Sequence, residues 1–122
     1  MSMKRIYGNG IYDNENAEST ASDFVKFAIK QINSSVEWLS TTNEVAQDTL
    51  ANIDLLLAIT RQNPICTNLL LEKQEVLKWK TAFNDWYCRV YNKIPNEYRQ
   101  AIKNNGEKLF NELEQYCNEL TF

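Results

Sequence analysis

Histidine is absent from the chain, and with it go the commonest general base and the commonest metal ligand of proteins. Cysteine is sparse. Cys66, Cys88 and Cys117 are odd in number, widely spaced and without a Cys-x-x-Cys pair, which excludes both a disulfide framework and a zinc knuckle. They are expected as small core residues in a reducing cytoplasm. Long apolar runs are missing as well: the longest, Leu55 to Ile59, falls far short of a bilayer span, and no charged and apolar leader opens the chain. The expectation is a cytoplasmic protein with no membrane partner. No catalytic residues, cofactor-binding residues or metal ligands are predicted.

What is present is ordinary globular material, 43% hydrophobic and 24% charged, in 122 residues that fit one domain spanning 1–122. Residues 1–5 are expected to be loose. Two of the three glycines fall in the opening, Tyr7-Gly8-Asn9-Gly10-Ile11-Tyr12-Asp13-Asn14-Glu15-Asn16-Ala17. There they permit positive φ and a tight reversal over 6–16, ahead of three candidate helix caps, Asp13, Asn14 and Asn16. Gly-Asn-Gly is no phosphate cradle, because no strand precedes it, a third glycine is missing and no Lys-Ser/Thr follows.

The order Tyr7-Gly8-x-Gly10-x-Tyr12-Asp13-Asn14-Glu15 resembles the opening of a bacterial family of small, mostly helical proteins catalogued as a domain of unknown function. The family's usual form is Trp-Gly-x-Gly-x-Phe-(Asp or Glu)-Asn-Asp, followed by Ala-x-Asp-(Phe or Trp). Tyr7, Tyr12 and Glu15 stand here for the Trp, the Phe and the second acid, and Ala21-Ser22-Asp23-Phe24 fits the last part after an insertion. The resemblance implies an all-helical fold and no reaction.

Helical periodicity continues along the chain. Ala17, Ala21, Phe24, Val25, Ala28 and Ile32 predict a first helix over 17–33, with Val36, Trp38 and Leu39 in a short further turn on the core. Thr41-Thr42-Asn43 with Glu44 predicts the start of a second helix, with Val45, Thr49, Ile53, Leu56 and Thr60 buried and Asn63-Pro64 as its stop. Thr67 caps a long third pattern reaching Asn92, with a break near 72–75, and its Trp79, Phe83, Trp86 and Tyr87 predict the largest aromatic cluster. Pro95 opens a short helix that Asn105-Gly106 ends, and Leu109, Leu113, Tyr116, Cys117 and Leu120 form the stripe of a last one. The predicted fold is all-α, a single compact bundle-like domain of about five to seven helices.

Charge is the one functional signal. Residues 31–60 hold Glu37, Glu44, Asp48 and Asp54 and no Lys or Arg, and residues 13–23 hold Asp13, Glu15, Glu18 and Asp23 with no base. Residues 78–103 balance Lys78, Lys80, Arg89, Lys93, Arg99 and Lys103 against only Asp85 and Glu97. Basic side chains interleaved with Trp79, Trp86 and Tyr91 superficially resemble a stacking platform, yet those aromatics are expected inside and the net charge is −3, so no nucleic acid partner is expected. Carboxylate pairs such as Glu72 with Glu75 have no nucleophile or base beside them, and no enzyme is expected.

These features favour a binding protein. The leading expectation is an immunity-type antitoxin that neutralises a basic bacterial toxin, such as a nuclease domain, as its cognate partner. Its partner-binding residues would be Glu37, Glu44, Asp48 and Asp54 as phosphate mimics, with Leu55 or Ile59 as apolar anchor. The alternative is a non-catalytic structural or regulatory protein that forms a homo-oligomer through the second helix, on which Glu44, Asp48, Leu55 and Ile59 would share a stripe.

Overall fold

The computed structural model describes residues 5–45 and 48–118. Over them the chain forms α1 (Glu15–Leu39), α2 (Asp48–Gln62), α3 (Pro64–Leu70), α4 (Lys73–Val90), a 3-10 turn at Tyr91–Lys93 and α5 (Asn96–Tyr116). Among the described residues there is no strand, only two isolated bridges, Ile6 with Asn14 and Glu72 with Asn118. Glu119 and Leu120, expected in the last helix, lie outside the described residues, as do residues 1–4 of the segment expected to be loose.

The opening is pinned at both ends. Tyr7 N donates to Asp13 O at 3.0 Å, and Glu15 N donates to Arg5 O at 2.9 Å. Of the three candidate caps, Asn14 is the one used, its Oδ1 accepting from Ala17 N at 2.8 Å. Asp13 turns back instead, and its carboxylate accepts from Gly10 N at 2.8 Å. None of the glycines adopts positive φ. Space explains Gly10, since a Cβ there would lie 2.7 Å from Asp13 Oδ2.

Helix α1 runs through the expected stop at Asn33-Ser34-Ser35. Ser35 satisfies its hydroxyl inside the helix on Ile32 O at 2.9 Å, and Val36 and Leu39 prolong the buried stripe of Val25 and Ile32. Thr49, in the first turn of α2, donates to Ser35 Oγ at 3.1 Å, so α2 starts beside the end of α1 and runs back along it. Cys66 of α3 reaches Glu18 O near the start of α1, which agrees with that antiparallel course. Thr67 is no cap. It lies buried within α3, its hydroxyl 2.7 Å from that of Thr60, and Pro64 takes the first helical turn. The chain then breaks at Leu71–Glu72, and α4 follows.

Helix α1 packs on α2, α3 and α4, and α5 closes the ring against α2 and α4. Trp79 and Trp86, seven residues apart, are wholly interior, and Phe83 meets Trp86 at 5.6 Å and Phe110 at 5.8 Å between ring centroids. Asn105-Gly106 does not end a helix. Gly106 sits buried inside α5 with helical backbone, and a Cβ there would lie 2.7 Å from Phe83 Cζ. The missing side chain lets α4 and α5 approach over the aromatic cluster, a tertiary reason that outweighs the cost of glycine in a helix interior, roughly 1 kcal/mol.

Candidate functional site

The six acidic and apolar residues singled out from the sequence do not converge. Glu37, on the α4 side of α1, lines a groove of about 750 Å3 together with Lys26, Lys30 and Lys78. Asp54 lines a groove of about 500 Å3 between α2 and α5, beside Arg61 and Lys108. Glu44 lies in the loop before α2, with Val45 exposed beside it, so the predicted start of the second helix at Thr41–Glu44 is replaced by Asp48. The reason is local. Thr42 Oγ1 accepts from Glu44 N at 3.1 Å in a turn, and the Glu44 carbonyl accepts from Trp86 Nε1 at 2.9 Å, so that carbonyl is used by α4.

Asp48, Leu55 and Ile59 remain together on the outer face of α2 that turns toward α1. Positions 48, 52, 55 and 59 fall on one side of the helix, opposite to Leu50, Leu57 and Arg61, of which Leu50 and Arg61 line the groove against α5. Leu55 is 62% exposed, whereas Ile59 packs partly on the core.

Alongside them α1 presents side chains whose place the sequence misread. Phe24, expected in the core stripe, is 58% exposed, Phe27 is 59% exposed and Trp38, expected on the core, is 45% exposed. Phe24, Gln31 and Trp38 recur at seven-residue steps with Phe27 between them, one position out of phase with the buried set Val25, Ile32 and Leu39. That phase difference was the available signal. Because α2 runs back along α1 from the Thr49–Ser35 contact, the first half of α1, with Phe24 and Phe27, flanks the second half of α2, with Leu55 and Ile59. Trp38 lies toward Asp48. Single exposed apolar side chains need no explanation, but Phe24, Phe27 and Leu55 stand on neighbouring halves of two adjacent helices, the kind of grouping that marks interaction sites.

The charges beside this face are mixed on α1 and acidic at the start of α2. Asp23 stands four residues before Phe27, Asp48 opens α2, and Glu44 lies at the loop end. Exposed Lys30, three residues after Phe27 and seven after Asp23, lies on the same side of α1 as that carboxylate. Lys26 and Lys30 line the groove toward α4, and Arg61 is held on Glu112 of α5 through Nε at 2.9 Å and Nη2 at 2.6 Å. That bidentate pair holds the Glu112 carboxyl below its ordinary range and raises Arg61.

The basic segment is largely engaged within the fold. Arg89 Nη2 donates to Leu39 O at 2.6 Å and to Thr42 O at 2.9 Å, and Lys93 Nζ donates to Asn43 O at 2.8 Å. Arg99 donates to Ile94 O at 3.0 Å and stacks 4.2 Å above the Tyr91 ring, and Lys80 pairs with Glu114 at 3.4 Å. The interleaved Trp79 and Trp86 are buried and cannot stack on bases.

Among the described residues no group of three or more Cys, Asp or Glu side chains is placed to hold a metal ion, and no helix is long and apolar enough to cross a membrane. Cys66 and Cys117 are buried and Cys88 is exposed, a departure from the expectation that all three sit in the core. Burial, followed by the nearby Glu18 carboxylate, pushes the Cys66 thiol up, away from the nucleophilic thiolate. Tyr7 is pushed up to about 12, chiefly by its hydrogen bond to Glu18, which leaves it a neutral donor. No family model, curated protein or solved structure matches the chain.

Proposed function

We propose that this chain is a non-catalytic binding protein of the immunity type, an antitoxin that neutralises a basic bacterial toxin by covering it. The observation that carries this reading is the outer α1–α2 face, where Phe24, Phe27, Trp38 and Leu55 stand exposed and Asp48 opens α2. Aromatic side chains are enriched at the centres of specific protein interfaces, and the carboxylates of Glu44 and Asp48 would steer a basic partner. Glu44 and Asp48 keep the role of phosphate mimics at one end of that face. Glu37 and Asp54, which line other grooves, do not share it.

Co-expression with the product of the adjacent reading frame tests the reading. An antitoxin restores growth and forms a tight one-to-one complex whose association slows with salt, and reversing Glu44 and Asp48 to Lys weakens it at least tenfold. A partner product that is neither toxic nor retained, with this protein eluting as a homo-oligomer, would defeat the antitoxin reading in favour of self-association.

A further inference from the structure

We infer that Trp86, Arg89 and Lys93 are positioning residues, which fix the loop at 39–44 so that the Glu44 carboxylate is already in place when the partner arrives. The inference rests on the binding-protein reading, which supplies the basic partner, and adds to it the groups that act through Glu44.

Glu44 stands apart from Glu37, Asp48 and Asp54 in how its backbone is held. Its N–H donates to Thr42 Oγ1 at 3.1 Å, and its carbonyl accepts from Nε1 of the wholly interior Trp86 at 2.9 Å. The Asn43 carbonyl accepts from Lys93 Nζ at 2.8 Å, and that of Thr42 from Arg89 Nε at 3.3 Å and Nη2 at 2.9 Å. Arg89 Nη2 also reaches Leu39 O, at the end of α1, at 2.6 Å. Donors of α4 and the 3-10 turn after it thus hold the chain from the last residue of α1 to Glu44. The Glu44 side chain itself stays exposed and, among the described residues, forms no ion pair.

A fixed root with a free carboxylate is the arrangement a binding group needs. A carboxylate on a loose loop loses conformational freedom when a partner engages it, and that loss subtracts from affinity. Here the ordering is complete in the free protein. Binding groups are commonly carried on loops that a rigid scaffold positions, and α4 is that scaffold for Glu44.

Lys93 makes position and charge separable, because the two have opposite signs. As a cation beside Glu44 it repels a basic partner, so by charge alone its removal speeds association. As a clamp on Asn43 O its removal loosens Glu44 and weakens binding. Its ammonium donates to that carbonyl and forms no ion pair with the Glu44 carboxylate, which is the geometry of a clamp.

The test is a double-mutant cycle. The adjacent reading frame's product is titrated calorimetrically into wild type, E44Q, K93M, E44Q/K93M, R89K, which keeps the charge and loses the fork, and K103M, which removes a cation from an exposed position of α5. Melting curves confirm that each variant is folded. Support is E44Q about tenfold weaker, K93M and R89K about fivefold weaker, E44Q/K93M within about twofold of E44Q, and K103M within about threefold of wild type. A purely structural role would not make the Lys93 loss vanish once Glu44 is neutral. K93M binding as tightly as wild type or tighter shows that Lys93 acts by charge alone, and losses that add in E44Q/K93M show a route other than Glu44; either overturns the inference and leaves the binding-protein reading standing. E44Q binding like wild type does the same. No complex with wild type overturns both.

Discussion

Two regions of this molecule carry the same kinds of side chain, aromatics beside charges, and use them in opposite ways. At the loop joining α1 to α2, Trp86, Arg89 and Lys93 all point their donors at backbone carbonyls of Leu39, Thr42, Asn43 and Glu44. A segment with no helix or sheet partners of its own thereby has its carbonyls satisfied by side chains about 50 residues away. On the outer α1–α2 face, Phe24, Phe27, Trp38 and Leu55 stand in solvent beside Asp23 and Asp48. One region spends its chemistry on the fold, and the other leaves it exposed. A charge count along the sequence cannot separate the two, because a cation bound to carbonyls and a cation on a free surface contribute equally to it.

Mutations that set the two regions against each other should differ most in stability. Trp86→Ala removes a fully buried side chain and the hydrogen bond to Glu44 O, and should cost about 4 kcal/mol in urea unfolding, enough to threaten folding at 37 °C. Arg89→Ala leaves the Leu39 and Thr42 carbonyls without their charged donor. A loss of about 2 kcal/mol is expected, with Arg89→Lys intermediate because an ammonium cannot reproduce the fork. The outer face predicts the contrary. F24S/F27S should change stability by less than about 0.5 kcal/mol, since both rings are mostly solvated, and a large destabilisation in the same urea assay would show that they serve the core.

The smallest effect sharpens the comparison at a surface ion pair. Arg61 holds Glu112 below its ordinary pKa, so the pair contributes stability at neutral pH, above the unfolded-state value, and loses it as pH falls through the depressed folded value. Both side chains are solvent-accessible, so the contribution is small and screened by salt. Melting curves at low ionic strength between neutral and acid pH should show a slight extra loss in wild type that E112Q lacks.

The helices themselves were legible where an apolar stripe repeats. Val25, Ile32 and Leu39 mark α1, and the seven-residue step from Trp79 to Trp86 marks the aromatic centre of α4. The errors came where a local signal had a distant cause. Asn105-Gly106 has the composition of a helix end, but the glycine is there to admit Phe83 from α4, a contact that no window around residue 106 contains. Asn33-Ser34-Ser35 reads as a stop until Ser35 is seen bonded within its own helix and to Thr49. Phe24 shares helical spacing with Ala17, Ala21 and Ala28, which predicts a core position, yet its phase against Val25 and Ile32 turns it outward. Of the residues expected to meet a partner, Asp48, Leu55 and Ile59 share one face, while Glu37 and Asp54 are separated by a packing order that periodicity does not encode.

Under the proposed function the outer α1–α2 face meets the partner, while the loop at 39–44 is held within the fold by Arg89 and Lys93. Heteronuclear NMR of the labelled protein, recorded as the adjacent reading frame's product is added, tests it most directly. Amide signals of residues 20–31 and 48–59 should shift or broaden on binding, while those of 39–43 and 86–93 stay in place. Perturbation concentrated at 39–43 and 86–93, with Phe24, Phe27 and Leu55 unmoved, would contradict it.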